Sequence, residues 1–451
     1  MLLERPERAA WEAKPKGVPR GRQLRMSQAD AQTNTAHEPR HKSTTRRYSK
    51  VARNELSILR LIHAEPKISR IELARQTGLS AALVGGVVGR LVGKGLVVET
   101  GPGSTRVGRK PVSLSLRNDI AYLVGVDVGS FLLRVVITDF LGRSICATET
   151  ETRMAEGRSR VLQRTFETIR KTIQDSRLPD SALKGIGIAH SGVIDTERGV
   201  VLSFPRPGQM TEWKNVSLKQ LVEEEFGLPA LLDDSTRMMA IAENCLRQDR
   251  KLRDFLFISV STGIGAALFV DGALYRGPGG FAGEFGHMTV DENGPLCCCG
   301  NYGCLEALAS GGAIIQSVRT AIQKGVDSKV RDLTKEDLDR ISMEIVTRAA
   351  AENDGLACRV LHDAVSHIAV ALADVVNLLS PRVVILGGPL FRLAPQLITE
   401  PLMRVVKQRA FEKSANEIRL EVSSLGSEAA ALGAARLIAE AILERVYLEK
   451  V

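Results

Sequence analysis

Long apolar runs are scarce in this 451-residue chain. The longest uncharged apolar stretch of interest, Phe255–Val270, spans 16 residues and carries Ser-Thr-Gly-Ile-Gly inside it. That is short of the ~20 residues a helix needs to cross a bilayer. The opening Met1-Leu-Leu-Glu-Arg-Pro holds no apolar h-region, so the expectation is no secretory signal, no membrane partner and a cytoplasmic location. The cysteines also lack the spread of a disulfide framework. Of seven, four fall within eight residues, Cys297, Cys298, Cys299 and Cys304, and adjacent cysteines pair poorly with one another. In a reducing compartment such clustering points to metal. The remaining composition, 44% apolar and 25% charged, excludes a mostly disordered chain, a collagen-like fibre and a polytopic membrane protein. At about 150 residues per domain, the length suggests roughly three structural units.

Charge is present but unevenly placed. Of the net +9, residues 1–50 carry +7 and residues 51–119 carry +6, leaving −4 on the rest. A basic front on a slightly acidic body is the footprint of a polyanion-binding head joined to a separate core. Residues 1–48 show no apolar periodicity and read as a disordered basic tail. From Asn54, Leu56, Leu59, Ile62 and His63 recur at helical spacing, and Glu65-Pro66-Lys67 ends that helix. Ser69 is placed to cap a second helix over Arg70–Thr77, Gly78 supplies a tight turn, and Ser80 caps a third from Ala81 to about Gly93. Two short apolar runs, Leu96–Thr100 and Val112–Leu116, flank the Gly-rich basic loop Gly101–Pro111. Three helices and a basic hairpin make a winged helix-turn-helix over residues 49–118.

After Asp119 the pattern becomes α/β. Strands are expected at Leu123–Val128, Leu132–Asp139, Arg143–Glu151, Lys184–Ala189 and Pro229–Leu232, with helices near Ser159–Ser176 and Leu218–Phe226. The second half repeats the scheme: a hairpin at Phe255–Ser261 and Ala266–Val270, a long helix through Ala371–Leu379, a strand at Arg382–Leu386 and a helix over Glu428–Leu448. Two lobes enclosing a cleft fit this order, as do other α/β arrangements.

The densest signal is Ser259-Val-Ser-Thr-Gly-Ile-Gly265, then Gly280-Phe-Ala-Gly-Glu-Phe-Gly-His287, then Cys297-Cys-Cys-Gly-Asn-Tyr-Gly-Cys-Leu-Glu306. With these stretches the chain from about Val51 onward resembles the ROK family, in the regulator branch where a winged helix precedes a sugar-kinase-like domain. The resemblance implies a two-lobed actin-like, ribonuclease H-like fold over residues 119–451, with lobes of about 119–240 plus the C-terminal helix and 241–427. On spacing alone His287, Cys297, Cys299 and Cys304 make a Cys₃His set suited to structural Zn²⁺, with a Cys₄ site through Cys298 as the alternative. The family pattern uses the histidine and leaves Cys298 out.

The same resemblance makes Glu284, His287 and Glu306 sugar contacts, with Asp234 beside them. A pyranose presents hydroxyls that need acceptors, which carboxylates supply. The kinases of the family carry a Glu-Asn-Asp-Ala-Asn-like stretch whose Asp is the general base. Aligned with it, this chain reads Asp233-Asp234-Ser235-Thr236-Arg237, so Ser235 stands at the base position with Asp234 as its only neighbouring substitute. The first phosphate loop, Asp-x-Gly-Gly-Thr in the family, is here Asp127-Val-Gly129-Ser-Phe131. Phe131 brings bulk and no donor, whereas phosphate cradles need small residues and donors. The second loop, Thr262-Gly263-Ile-Gly265, keeps its glycines. ATP is therefore not expected as a cofactor.

The third helix carries Gly85 and Gly86 where the family has polar or basic residues, leaving Ser69, Ser80 and Arg90, with Arg106, Arg109 and Lys110 of the wing, as candidate DNA contacts. The expectation is a sugar-responsive transcriptional regulator, a repressor, that binds double-stranded operator DNA as a homodimer or homotetramer. Its effector would be a small sugar or amino sugar and its kinase chemistry lost. The alternatives are an active ATP-dependent sugar kinase with a DNA-binding head, and a constitutive DNA binder with a vestigial pocket.

Overall fold

A computed structural model describes residues 49–65, 67–102, 112–204, 212–247 and 252–449. The chain opens with helix α1 (Lys50–Ala64), capped by the Ser49 hydroxyl, which accepts from the Ala52 N–H. Strand β1 (Ile68–Ser69) leads into α2 (Arg70–Thr77), whose start is a capping box: Ser69 accepts from the Glu72 N–H and Glu72 from the Ser69 N–H. Gly78, at φ 68°, ends α2 in the left-handed region. Ser80 then caps α3 (Ala81–Gly93). Strands β2 (Val97–Pro102) and β3 (Val112–Leu116) complete a sheet of order β1-β3-β2. Leu59, Leu73, Val84, Val88 and Leu114 are fully buried and form its core. The pairing of Ile68 with Leu114 was not visible beforehand, because two residues carry no periodicity.

The first lobe follows. Strands β4 (Tyr122–Val128), β5 (Leu132–Asp139) and β6 (Ser144–Glu151) form an antiparallel meander, and α4 (Arg158–Ser176) crosses to β7 (Leu183–His190), parallel to β4. A small hairpin, β8 (Val193–Asp195) and β9 (Val200–Ser203), precedes α5 (Leu218–Phe226) and β10 (Ala230–Asp234). The sheet order is β10-β7-β4-β5-β6. Helix α6 (Ser235–Leu246) then passes to the second lobe.

That lobe repeats the topology with β11 (Phe255–Val260), β12 (Ile264–Val270) and β13 (Ala273–Tyr275) as the meander. Four helices follow, α7 (Leu305–Ala309), α8 (Gly311–Gln323), α9 (Lys329–Leu333) and α10 (Met343–Ala351), then the long α11 (Gly355–Leu379) and β14 (Val383–Gly387). Helices α12 (Pro389–Leu393), α13 (Pro395–Arg409) and α14 (Glu412–Glu417) lead to β15 (Arg419–Val422), and the order is β13-β12-β11-β14-β15. The sequence pattern marked only α11 among these eight helices. Among the described residues α11 alone is long and apolar enough to cross a membrane, and its Leu361, Val365, Ile368, Leu372 and Val376 belong to the core of this lobe.

The last element, α15 (Ala429–Glu449), returns to the first sheet. Its apolar residues cover most of its circumference, as expected of a helix enclosed on several sides. Glycines let it approach. A Cβ on Gly125 of β4 would lie 1.9 Å from the Ala431 carbonyl oxygen, and one on Gly187 of β7 would lie 1.8 Å from that of Ala434. On its other side Gly433 meets α6, where a Cβ would stand 1.8 Å from the Met238 carbonyl.

These contacts give a paired prediction. Gly187→Ala forces a side chain into backbone and is expected to cost at least the upper end of about 1–3 kcal/mol for overpacking. Gly89→Ala, on the solvent side of α3 with nothing within 4 Å, should instead stabilise by about 0.5–1 kcal/mol. Thermal melts of the two variants against the parent check both signs.

Candidate functional site

One cleft brings together most of the sugar and phosphate-loop residues singled out in the sequence. Asp234, Glu284, His287 and Glu306 line it with Thr262, Gly263 and Gly265, and it encloses about 910 Å³ including its open mouth. Asp234 is the N-cap of α6: its Oδ1 accepts from the N–H groups of Thr236 at 2.8 Å and Arg237 at 3.0 Å. Burial pushes its carboxyl up to about 7, against the lowering effect of the Arg237 N–H. Glu306 sits on α7 facing the β11–β12 turn. Its Oε2 accepts from the Ile264 N–H at 2.8 Å, and its Oε1 lies 3.5 Å from the Cys298 thiol. Glu284 is the most open of the group, 55% exposed, with an oxygen 3.9 Å from His287 Nε2. Three carboxylates and an imidazole on fixed elements make an acceptor-rich surface for a polyhydroxyl ligand.

Asp127 and Gly129 do not line the cleft; they lie behind it. The Ser235 hydroxyl, itself buried, donates to Asp127 Oδ1 at 3.0 Å. Burial pushes Asp127 up to about 6, opposed by the Arg134 guanidinium and the Ser235 hydroxyl. The Gly129 N–H is spent on the Leu132 carbonyl at 3.2 Å, and Phe131 is 64% exposed at the tip of that turn. Ser191 and Gly192, just after β7 and unexpected from the sequence, also line the cleft, as do Arg237 and Cys298, the latter expected only as an alternative metal ligand. The carboxyl end of a parallel strand is where ligands of open α/β sheets bind, and His190-Ser-Gly at the end of β7 was that signal. His190 is buried and its imidazole is pushed down to about 3 by that burial, with Nδ1 accepting from the Gly192 N–H.

Beside the cleft, His287, Cys297, Cys299 and Cys304 converge with donor atoms all within 4.8 Å of one another, and Cys298 is not among them. Cys297 Sγ lies 3.6 Å from His287 Nδ1, and Cys299 Sγ lies 3.7 Å from Cys304 Sγ. A tetrahedral ion bound at about 2.3 Å to sulfur and about 2.0–2.1 Å to nitrogen has edges of about 3.5–3.8 Å. The donors therefore fit a tetrahedral metal.

In the head, Ser69 is buried and its hydroxyl donates to Glu72, which commits it to the capping box. Ser80 is exposed at the start of α3. Arg90 and Lys94 both reach Glu55 of α1, at 2.6 Å each, and the Tyr447 hydroxyl of α15 joins them at 2.8 Å. Burial would raise Glu55, but hydrogen bonds from Arg90, Lys94 and Tyr447 hold it below the usual carboxylate range. A second link lies one helix end away, where Arg436 Nη2 donates to the His63 carbonyl at 2.7 Å. The head is thus tied to α15 along α1, with Arg60 Nη2 donating to Glu444 Oε2 at 3.0 Å between these two points. Arg106, Arg109 and Lys110, like the tail 1–48, lie outside the described residues.

Comparisons with known proteins agree with this architecture. Residues 123–441 match the ROK family and residues 49–106 the MarR family. The chain is 30% identical to the xylose repressor of Caldicellulosiruptor bescii over 385 residues, 85% of this chain and 95% of that protein. It is 26% identical to the N-acetylglucosamine repressor of Escherichia coli O157:H7, over 88% of this chain and 94% of that one. A solved ROK family transcriptional regulator, a homolog of the E. coli MLC protein, superposes with a TM-score of 0.72 at 27% identity, over 89% of this chain and 98% of its own. The chain belongs to the ROK family, and within it to the transcriptional regulators that join a helix-turn-helix to a ROK domain.

Proposed function

We propose that this protein is a cytoplasmic sugar-responsive repressor whose ROK domain is a zinc-braced pseudo-kinase. The observation that carries the reading is the cleft itself: it keeps the acceptors for a sugar, Asp234, Glu284 and Glu306, with the His287 imidazole beside them, while Ser235 at the base position gives its hydrogen to Asp127. A serine cannot take up the sugar proton, and general-base help is worth about 10²–10⁴ in rate. At the first phosphate loop the Gly129 N–H is already bonded within its own turn and Phe131 projects outward. Relatives named for xylose and N-acetylglucosamine support a small sugar or amino sugar as effector. Zn²⁺ held by His287, Cys297, Cys299 and Cys304 would supply no reaction chemistry, since four protein ligands leave no open position. It would fix the loop that carries Glu284 and His287. Operator DNA would be met by two copies of the head, as a homodimer or homotetramer, on a near-palindrome with half-sites about one helical turn apart.

The test of the pseudo-kinase is a paired assay over a panel of pentoses, hexoses and N-acetylhexosamines. Calorimetry should register binding of at least one sugar, and ADP release should stay at background with all of them. Robust phosphorylation of any sugar would establish the active kinase with a DNA-binding head instead.

The metal centre gives a second outcome. Purified protein should hold about one zinc per chain, Cys298→Ser should keep it and Cys304→Ser should lose it. Chelation should lower the melting temperature, because metal binding and folding are linked. Full zinc retention in Cys304→Ser contradicts the ligand set.

Tyr447 gives a third. Tyr447→Phe leaves Glu55 paired with Arg90 and Lys94, so the head should stay folded and bind operator. The factor by which sugar changes operator affinity should shrink, as fluorescence anisotropy with and without sugar would record. An unchanged factor would place the coupling elsewhere than the Tyr447–Glu55 contact.

A further inference from the structure

The buried group that the proposed function leaves unused is Asp233. It is the penultimate residue of β10 in the first lobe and is 1% exposed. Both its oxygens are held by arginines. Oδ1 accepts from Arg237 Nη1 at 3.1 Å, and Oδ2 accepts from Arg276 Nε at 3.0 Å and Nη2 at 2.7 Å. Arg276 follows β13 in the second lobe, so the pair joins the two lobes across the cleft wall. Arg237, in the first turn of α6 and 4% exposed, does more: its Nη2 donates to the carbonyls of Gly280 at 2.6 Å and Ala282 at 2.9 Å. Those carbonyls belong to the segment that runs into Glu284. The next residue, Gly283, sits at φ 104°, where a Cβ would stand 2.2 Å from the Ala266 carbonyl of β12. Three residues beyond Glu284, His287 enters the metal cluster.

We propose that Asp233, Arg237 and Arg276 form a cross-lobe clamp that positions Glu284 for the effector, with Arg237 as the positioning residue. The proposal rests on the reading of the cleft as a sugar site. Glu284 stands on a loop and is half exposed, so a ligand that used it would have to order it, at a cost in side-chain freedom. The clamp orders the loop in advance from one side and the metal centre from the other. Only a guanidinium can do this. Its planar fork offers five donors and meets a carboxylate and two carbonyls at once, where an ammonium is a point charge on a flexible stem. Two arginines on one aspartate leave a positive excess, and the Arg237 charge acts on the neighbouring Asp234. Removing one arginine leaves Asp233 paired with the other, so a single substitution does not strand a buried charge.

The experiment uses the full-length zinc-loaded protein and calorimetric titration with D-xylose, D-glucose and N-acetylglucosamine. For whichever sugar binds the parent, Arg237→Gln should raise Kd at least tenfold with zinc content unchanged, and Arg237→Lys should fall between the two. Glu284→Gln should raise Kd as well. The double variant Arg237→Gln, Glu284→Gln should bind within twofold of Glu284→Gln alone, because a residue that acts through Glu284 loses its effect once Glu284 is gone. A general loss of structure would instead multiply the two fold-changes. If Arg237→Gln fails to fold, Arg276→Gln carries the same test. A Kd within twofold of the parent for the folded single variant, or multiplied effects in the double, overturns the clamp while leaving the sugar site standing. Failure of the parent to bind any of the three sugars overturns the site and the clamp together.

Discussion

Backbone contact between α15 and the first sheet is the constraint on which the rest of the molecule depends. Gly125 and Gly187 are register partners on neighbouring strands, and their missing side chains leave room for the carbonyls of Ala431 and Ala434. Gly433 does the same for α6 on the opposite face. A helix seated this closely has no slack, and protein interiors packed at crystal density transmit displacement rather than absorb it. Its two neighbours are functionally opposite. α6 begins at Asp234 in the cleft, and α1 of the head is held by Arg436 and Tyr447. A movement at the start of α6 therefore has a short, packed route to the helix-turn-helix.

On the proposed reading, few changes turn a kinase-like frame into a sensor. Serine in place of a base turns a proton acceptor into a donor that closes on Asp127. An arginine three residues after Asp234 pins the loop opposite. Neither change disturbs the acceptors that a sugar would use, so on this reading binding and turnover would come apart at the level of single residues. The head shows a parallel economy. Arg90 and Lys94 lie on the helix expected to face DNA, yet both lean on Glu55, which also holds Tyr447. The charge that DNA would attract and the contact that α15 makes converge on one carboxylate.

Features local in the chain were legible in the sequence, and features assembled from distant segments were not. Ser69 and Glu72 are three residues apart, and a capping box is decided within one turn. The His-Cys cluster was readable because its four side chains fall within 18 residues, His287 to Cys304, and their chemistry is selective. The repeat of the strand–helix order announced the duplicated lobes, while α7, α9, α12 and α14, of five or six residues each, carry too few residues for a periodic signal. Glu55 and Tyr447 are 392 positions apart, and no pattern in either neighbourhood names the other. Arg237 was in view but was read only as the end of a stretch scanned for a base. Its partners at 276, 280 and 282 became visible only when the lobes were brought together.

The central claim is that cleft and head are one device, and linkage gives it a strict form. A sugar that loosens the repressor from DNA must itself bind less tightly when DNA is present, by the same factor. The direct measurement is the affinity of the effector sugar for the free protein and for the protein saturated with an operator fragment selected from a random-sequence library. The account predicts that operator raises the sugar Kd by the same factor, on the order of 5–150-fold for typical couplings, by which sugar raises the operator Kd. Equal sugar affinity in the two states would contradict it.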